Sequence, residues 1–141
     1  HREGVVMVPG EADEAVIALR EAGIIPVVSP IGYVPGSPAD QLVNVNADTV
    51  AGSIAAAIGA EGVVFLTDVE GVRGPTGTVI PELDMATARA YIADGTIAGG
   101  MIPKVEACLH AASLGVPATI LDGRVPHALL GNDRSGTRIT A

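Results

Sequence analysis

The sequence is poor in aromatic residues and in cysteine. Its 141 residues include one phenylalanine, two tyrosines and no tryptophan, although 48% of them are hydrophobic. The interior must therefore be built from Val, Ile, Leu and Ala, a composition typical of a parallel sheet covered by helices. The single cysteine, Cys108, excludes an internal disulfide. Because we find neither a membrane span nor an export signal, we expect a cytoplasmic protein with a reduced thiol.

Basic residues are scarce as well. Eight residues are Lys or Arg against sixteen that are Asp or Glu, and the net charge is −8. No run of basic residues could follow a phosphate backbone or an anionic membrane, so we expect neither nucleic acid nor membrane as a partner. Lys104 is the only lysine, and the other basic residues are arginines. The partner that remains is a small molecule.

The hydrophobic periodicity predicts a single α/β domain. The length suits one core, and buried strand patterns that alternate with helical ones indicate an α/β sandwich with right-handed crossovers. We predict strands at residues 4–8, 24–32, 62–68, 116–123 and, at an edge, 137–140. We predict helices at residues 12–22, about 48–59, 85–93 and about 102–114, the second of which should bury Val50, Ile54, Ala57 and Ile58. Residues 33–41 should form a hairpin tip, and residues 70–83 a small hairpin.

Polar residues gather at four places near the carboxyl ends of the predicted strands. They lie at residues 44–48, 67–71, 96–104 and 122–124. In open α/β sheets ligands bind at these ends, where the N-termini of helices present backbone N–H groups. In the last of the four, Asp122 and Arg124 could pair with each other or lie at an interface.

Asn44, Asn46 and Asp48 occupy every second position before a helix. If residues 44–46 are extended, the two amides project from one side, and Asp48 continues that line into the first helical turn. Amide groups can hold a carboxylate or an amide, and a carboxylate can orient a cation. Asn and Asp are also common caps and turn residues, so both interpretations stay open.

Thr67 and Asp68 end the strand that the pattern predicts most clearly, and Gly71 follows. A tight backbone beside a carboxylate suits the recognition of adenine or ribose. The alternative is an ordinary turn capped by an aspartate.

Gly99 and Gly100 precede a helix that carries Lys104 in its first turn. This arrangement has the physics of a phosphate cradle, although the P-loop pattern is absent. A lysine is unfavourable at a helix N-terminus unless an anion lies nearby, and a compact ammonium suits a moving phosphoryl oxygen. The alternative is a solvated lysine on a helix face.

The sequence gives little support to two other kinds of chemistry. His1, His110 and His127 have no Cys or carboxylate partner at metal-ligand spacing, so we predict no metal site built from protein groups alone. No G-x-S-x-G elbow and no Ser/His/Asp grouping is present, which disfavours covalent hydrolysis.

Three segments together resemble the carboxyl-terminal half of the acetylglutamate kinases, within the amino acid kinase family. They are NVNADTVAGSIAAAIGAEGVVFLTDVEGV, DGTIAGGMIPKVEACLHAASLGV and ILDGRVPHALL. The resemblance implies a three-layer αβα sandwich around a mainly parallel sheet. It also implies ATP-dependent phosphorylation of the side-chain carboxylate of N-acetyl-L-glutamate to an acyl phosphate, a step of arginine biosynthesis.

The same resemblance implies roles for individual residues. Asn44 would contact acetylglutamate, Asn46 would support that site, and Asp48 would organise the catalytic lysines. Lys104 would stabilise the transferring phosphoryl group. Mg²⁺ would bridge the phosphates of ATP with few protein ligands. The nucleotide site would be lined by Thr67, Asp68, Val69, Glu70, Gly71, Val72, Arg73, Thr96, Ile97, Ala98, Gly99 and Gly100.

In that family the amino-terminal half supplies a second catalytic lysine, glycine-rich phosphate loops and an arginine for the substrate, and this sequence has no counterpart of them. We therefore expect a nucleotide-binding half that is inactive alone and is completed by the amino-terminal half in a homo-oligomeric parent. Two alternatives stay open. The chain could be a non-catalytic nucleotide-binding or interaction module, or part of an amino acid kinase with a different acceptor.

Overall fold

The computed structural model describes residues 11–34, 42–130 and 136–141. The strand predicted at residues 4–8 and most of the predicted hairpin tip, residues 35–41, lie outside the described residues. Within them the order of elements is α/β, as the sequence predicts. The described residues contain no helix that is long and apolar enough to cross a membrane.

Four helices and six strands make up the described fold. The helices are α1 (Glu11–Glu21), α2 (Ala47–Ala57), α3 (Met85–Ala93) and α4 (Met101–Ser113). The strands are β1 (Ile31–Tyr33), β2 (Leu42–Asn44), β3 (Val63–Thr67), β4 (Glu82–Asp84), β5 (Ala118–Asp122) and β6 (Thr137–Thr140).

Local sequence signals explain where the helices begin and end. The side chains of Asn46 and Asp84 cap α2 and α3 by accepting hydrogen bonds from the backbone N–H groups of the third residue after each cap. After α1, Gly23 takes a left-handed conformation with φ of 74° that a side chain would disfavour. These three boundaries confirm the predicted ones to within one or two residues.

The main sheet has four strands in the order β3-β5-β6-β4. Its pairs β3–β5 and β4–β6 are parallel, whereas β5–β6 is antiparallel. Strands β1 and β2 form a separate antiparallel pair, and an isolated bridge between Arg73 and Val79 closes the small predicted hairpin. The sheet is therefore mainly parallel, as predicted.

The core lies between this sheet and the helices α2, α3 and α4. Helix α4 packs against α2, α3, β5 and β6, and α2 also packs against β3. The buried cluster is aliphatic apart from Phe65 and Cys108. Ile97, Ile120 and Ile139 are its largest fully buried side chains.

The buried face of α2 differs from the predicted one. The structure buries Val50, Gly52 and Ala55 and leaves Ala57 exposed. A Cβ atom on Gly52 would lie 3.4 Å from the carbonyl oxygen of Ala107. The face is rotated because α2 approaches the backbone of α4 at Gly52, a contact that the apolar residues of α2 alone do not indicate.

Two predictions about strands were wrong, one in its residue range and one in its place in the sheet. Residues 24–30 form no strand and are not buried: Ile25 is 88% and Val27 95% exposed. Pro26 and Pro30 remove backbone donors there, and no described strand pairs with the segment. The strand β6 is not an edge strand, since it pairs with β5 on one side and β4 on the other. The sequence did not predict β4, because its exposed–buried–exposed alternation spans only three residues, too few to be recognised as a strand.

Candidate functional site

The chain connectivity brings the predicted polar clusters to one edge of the sheet. Helix α2 leads into β3 and helix α4 into β5, and each helix packs on the strand that follows it. A helix that returns over its sheet runs opposite to the next strand, so its N-terminus lies near the carboxyl ends of the parallel strands. The first turns of α2 and α4 therefore face the same edge as the ends of β3 and β5.

Lys104 and Asp48 meet at this edge, although 56 positions separate them. The Nζ atom of Lys104 lies 3.4 Å from Oδ2 of Asp48, and the two side chains are 28% and 24% exposed. The carboxylate offsets the unfavourable charge of a lysine at the N-terminus of α4. Because the close packing at Gly52 fixes the two helices together, the ammonium group is held in one place while part of it stays open to solvent.

Asn46 and Asn44, which precede Asp48 in the sequence, differ in their contacts. The Oδ1 atom of Asn46 accepts a hydrogen bond from the backbone N–H of Thr49 at 3.1 Å, so Asn46 is the N-cap of α2. Asn44 ends β2 and is exposed, and its side chain has no hydrogen-bond partner among the described residues. Capping uses only the side-chain carbonyl oxygen of Asn46. The NH₂ group of Asn46 and that of Asn44 are therefore both free to donate to a ligand.

The predicted nucleotide segment after β3 divides into an exposed part and a packed part. Thr67 begins the turn, with its Oγ1 accepting from the N–H of Val69 at 3.0 Å. Asp68, Val69, Glu70 and Arg73 are exposed. The guanidinium of Arg73 donates to the carbonyl of Gly77 at 2.7 Å and pairs with Glu70 at 3.2 Å.

Gly71 and Val72, by contrast, are packed inside the protein. A Cβ atom on Gly71 would lie 2.8 Å from Oγ1 of Thr137, and the backbone N–H of Val72 donates to that same hydroxyl at 2.8 Å. Their nucleotide-binding role stays a prediction, and the structure gives both residues a place in the link between this turn and β6.

The segment before α4 divides in the same way. Ile97 is 2% exposed and its backbone N–H donates to the carbonyl of Tyr91 at 2.8 Å. Thr96 is half-buried, and its N–H donates to the carboxylate of Asp94, which lowers the pKa of that group. Ala98, Gly99 and Gly100 are exposed, and no side chain caps the start of α4. The first turn itself offers few free donors, because the N–H groups of Met101 and Ile102 donate to the carbonyls of Ala98 and Gly99 at 3.3 and 3.2 Å and Pro103 has no N–H group.

A fourth group at this edge, the turn after β5, received only a structural interpretation from the sequence. Asp122 accepts three hydrogen bonds from Arg124, and these bonds lower the pKa of Asp122 to about 2. The backbone N–H of Gly123 donates to the carbonyl of Thr67 at 2.8 Å, which joins this turn to the end of β3. The sequence placed residues 122–124 among the four polar clusters but assigned them no ligand.

The described residues contain no cluster of three His, Cys, Asp or Glu side chains that could hold a metal ion. Asp48 and Asp68 are the exposed or half-buried carboxylates at the edge that a phosphate-bound cation could approach. A divalent ion would therefore be carried mainly by the phosphates of a nucleotide.

Comparisons with known proteins support the family resemblance. Residues 8–122 match the model of the amino acid kinase family. An acetylglutamate kinase from Acidiphilium cryptum is 54% identical over 129 residues, which are 90% of this chain and 42% of that protein. One from Gluconacetobacter diazotrophicus is 52% identical, with 90% and 40% covered. The chain thus spans about two fifths of the length of the curated relatives it matches.

Solved structures show the same fold. A complex of N-acetylglutamate synthase from Neisseria gonorrhoeae with coenzyme A and L-arginine superposes with a TM-score of 0.77 at 24% identity, covering 99% of this chain and 35% of that one. Carbamate kinase from Giardia lamblia bound to AMP-PNP gives a TM-score of 0.71 at 20% identity, with 92% and 44% covered. With the family model matching most of its residues, the chain belongs to the amino acid kinase family.

Proposed function

We propose that this chain supplies the nucleotide-binding part of an acetylglutamate kinase. The reaction is the transfer of the γ-phosphoryl group of ATP to the side-chain carboxylate of N-acetyl-L-glutamate, in arginine biosynthesis and in the cytoplasm. The observation that carries the proposal is the contact of Lys104 with Asp48, where two helix N-termini meet at the carboxyl edge of the sheet. The identity of about half of the aligned residues with acetylglutamate kinases supports the choice of substrate.

The chemistry needs no covalent intermediate with the protein. A carboxylate oxygen of acetylglutamate attacks the γ-phosphorus, the bond from this phosphorus to the β,γ-bridging oxygen breaks, and ADP leaves with the electron pair. Negative charge spreads over the γ-phosphoryl oxygens in the transition state. Catalysis then consists of holding the two substrates in line and neutralising that charge.

Lys104 is suited to the neutralising role. Its ammonium lies in the first turn of α4, where no side chain caps the helix and the helix dipole also favours an anion. Asp48 positions the ammonium and keeps it from turning into solvent. When a nucleotide binds, the phosphoryl oxygens take over donors of Lys104 that Asp48 does not use.

The other predicted residues would bind the two substrates. Asn44 and the free NH₂ group of Asn46 would contact acetylglutamate, since amides can meet both its carboxylate and its acetamido group. The exposed residues of the two nucleotide segments would meet ATP, and Mg²⁺, held mainly through the nucleotide, would supply further charge neutralisation. The exposed nucleotide residues are Asp68, Val69, Glu70, Arg73, Ala98, Gly99 and Gly100.

We further propose that turnover requires the part of the family fold that this chain does not span in its relatives. The chain would be combined with a separately expressed polypeptide carrying the rest of the Acidiphilium cryptum kinase. We expect ADP release that depends on acetylglutamate in the mixture and not with either part alone. A chain that releases ADP with acetylglutamate by itself would contradict this requirement.

Substitution of the lysine tests its catalytic role within that mixture. Lys104→Met should lower kcat by about a hundredfold or more, because it removes charge stabilisation made in the transition state. Arg89→Met, at an exposed basic residue of α3, is the matched control and should leave kcat unchanged. ATP binding without any rescue would favour the non-catalytic module, and rescue only with another amino acid would favour a different acceptor.

A further inference from the structure

Arg124 is an exposed arginine whose guanidinium is held rigidly from one side. Its Nε donates to Oδ1 of Asp122 at 2.9 Å and its Nη2 donates to Oδ2 at 2.8 Å. Its backbone N–H also donates to Oδ1 at 2.9 Å. The Arg124 side chain is 67% exposed and that of Asp122 only 11%. The half-buried carboxylate thus fixes the plane of a group that would otherwise be among the most mobile on a surface.

The turn places this plane beside the nucleotide segment after β3. Gly123 donates to the carbonyl of Thr67, and a Cβ atom on Gly123 would lie only 3.1 Å from the Cβ of Leu66. Hydrogen bonding and charge from Asp122 raise the pKa of Arg124, and the charges of Asp68 and Glu70 raise it further. Arg124 therefore lies near the two carboxylates that begin that segment.

The clamp decides what kind of ligand group Arg124 can receive. A guanidinium binds phosphate best through two parallel N–H groups. Asp122 occupies the edge formed by Nε and Nη2, which leaves the edge formed by Nη1 and Nη2, and it offsets the positive charge that would attract a phosphate. The flat face of the guanidinium stays exposed. Such a face stacks on aromatic rings, so a heterocyclic base fits it better than a phosphate does.

Among the residues whose side chains are described, no phenylalanine or tyrosine offers a stacking surface at this edge. Phe65 is buried in the core at 4% exposure, and Tyr91 packs against the same core. The exposed guanidinium of Arg73 also lies in the nucleotide segment, but it donates to the carbonyl of Gly77 and pairs with Glu70.

Resting on the proposed function, we propose that Arg124, clamped by Asp122, is the platform on which the purine base of ATP stacks. The base lies over the guanidinium at the end of β5, and the phosphates extend toward Lys104 at the start of α4. Arg124 is then a nucleotide-positioning residue that acts on the base and not on the transferring group.

Calorimetric titrations of the chain with ATP and with inorganic tripolyphosphate test this assignment. Arg124→Leu should weaken ATP about tenfold and leave tripolyphosphate unchanged, because it removes the platform alone. Arg124→Lys, which keeps the charge but loses the plane, should weaken ATP similarly. Asp122→Asn should give a smaller loss for ATP. Arg20→Leu, at an exposed residue of α1, is the matched control and should change neither affinity.

Several outcomes would overturn the inference. Equal losses for ATP and tripolyphosphate in Arg124→Leu would make Arg124 a phosphate ligand, and retention of ATP affinity in Arg124→Lys would show that charge matters and the plane does not. An unchanged ATP affinity in Arg124→Leu would contradict the stacking role of Arg124 and leave the proposed kinase function intact. Failure of the unsubstituted chain to bind ATP would instead overturn both. Thermal unfolding must show that every variant is folded at the temperature of the titrations, with a small loss in Tm expected where the Asp122–Arg124 pair is broken.

Discussion

At the scale of single residues, the carboxylates that accept hydrogen bonds make the fold sensitive to acid. Asp122 has a folded-state pKa of about 2, below the value near 3.9 of an unfolded chain. A lowered pKa contributes stability that is complete above the unfolded value and is lost as the pH falls through the folded one. Asp84 and Asp94 are shifted in the same direction by backbone and side-chain hydrogen bonds from Thr87 and Thr96.

We therefore predict that stability falls between about pH 4 and pH 2 and that Asp122→Asn reduces the steepness of this fall. The midpoint of urea unfolding, measured at half-unit steps from pH 6 to pH 2, checks this. Above pH 5 the variant should be less stable than the parent, and the two curves should approach each other toward pH 2. Parallel curves over the whole range would contradict the assigned pKa shift.

Gly71 is a residue whose replacement should be costly for reasons of space. An added Cβ would lie 2.8 Å from Oγ1 of Thr137 and 2.9 Å from Cγ1 of Val79, both in packed surroundings. Gly71→Ala should destabilise the fold by about 1–3 kcal/mol. Gly100→Ala is the matched control, since its φ is −67° and nothing lies within 4 Å of the added atom. Thermal unfolding should show a clear loss in Tm for the first variant and little change for the second.

At the scale of elements, the start of α2 must satisfy both a helix and a ligand. Asn46 caps the helix through Oδ1, and the resemblance gives it a further role near acetylglutamate. The two roles can be separated because serine is also a good N-cap but has no amide.

Asn46→Ala should therefore lower stability by about 1 kcal/mol, whereas Asn46→Ser should keep most of it. In the reconstituted kinase both variants should raise the KM for acetylglutamate. Measuring both Tm and the KM for acetylglutamate in the two variants separates the capping role from the binding role. If KM is normal in Asn46→Ser and raised only in Asn46→Ala, KM follows stability and Asn46 acts only as a helix cap.

The helices and strands differ in how well they could be predicted from the sequence. Helix boundaries at Asn46, Asp84 and Gly23 follow from capping and backbone preferences that act within a few residues, so the pattern predicts them well. The prediction of the buried face of α2 was wrong because α4, which lies about fifty residues further along the chain, determines that face by packing at Gly52. The edge position of β6 was wrong for the same reason, since its two partners are distant in sequence.

At the scale of the whole molecule, connectivity assembles the candidate site. The predicted clusters were found separately, and periodicity could not place Lys104 beside Asp48, which required two helices to return over neighbouring parallel strands. It also could not show that Val72 and Ile97 turn inward while their neighbours stay exposed. The sequence indicated that Asp122 and Arg124 could pair, but it could not show which edge of the guanidinium the carboxylate occupies.

The central proposal is that the site at this edge of the sheet takes part in the transfer of a phosphoryl group to a carboxylate. Detection of the product, an acyl phosphate, tests it most directly. The measurement is hydroxamate formation, with hydroxylamine trapping the product in a mixture of the chain, the complementing part of the relative, ATP, Mg²⁺ and acetylglutamate. We predict a hydroxamate of acetylglutamate that forms in proportion to ADP and falls about a hundredfold or more in Lys104→Met. ADP release without hydroxamate, or hydroxamate formation undiminished in that variant, would contradict the account.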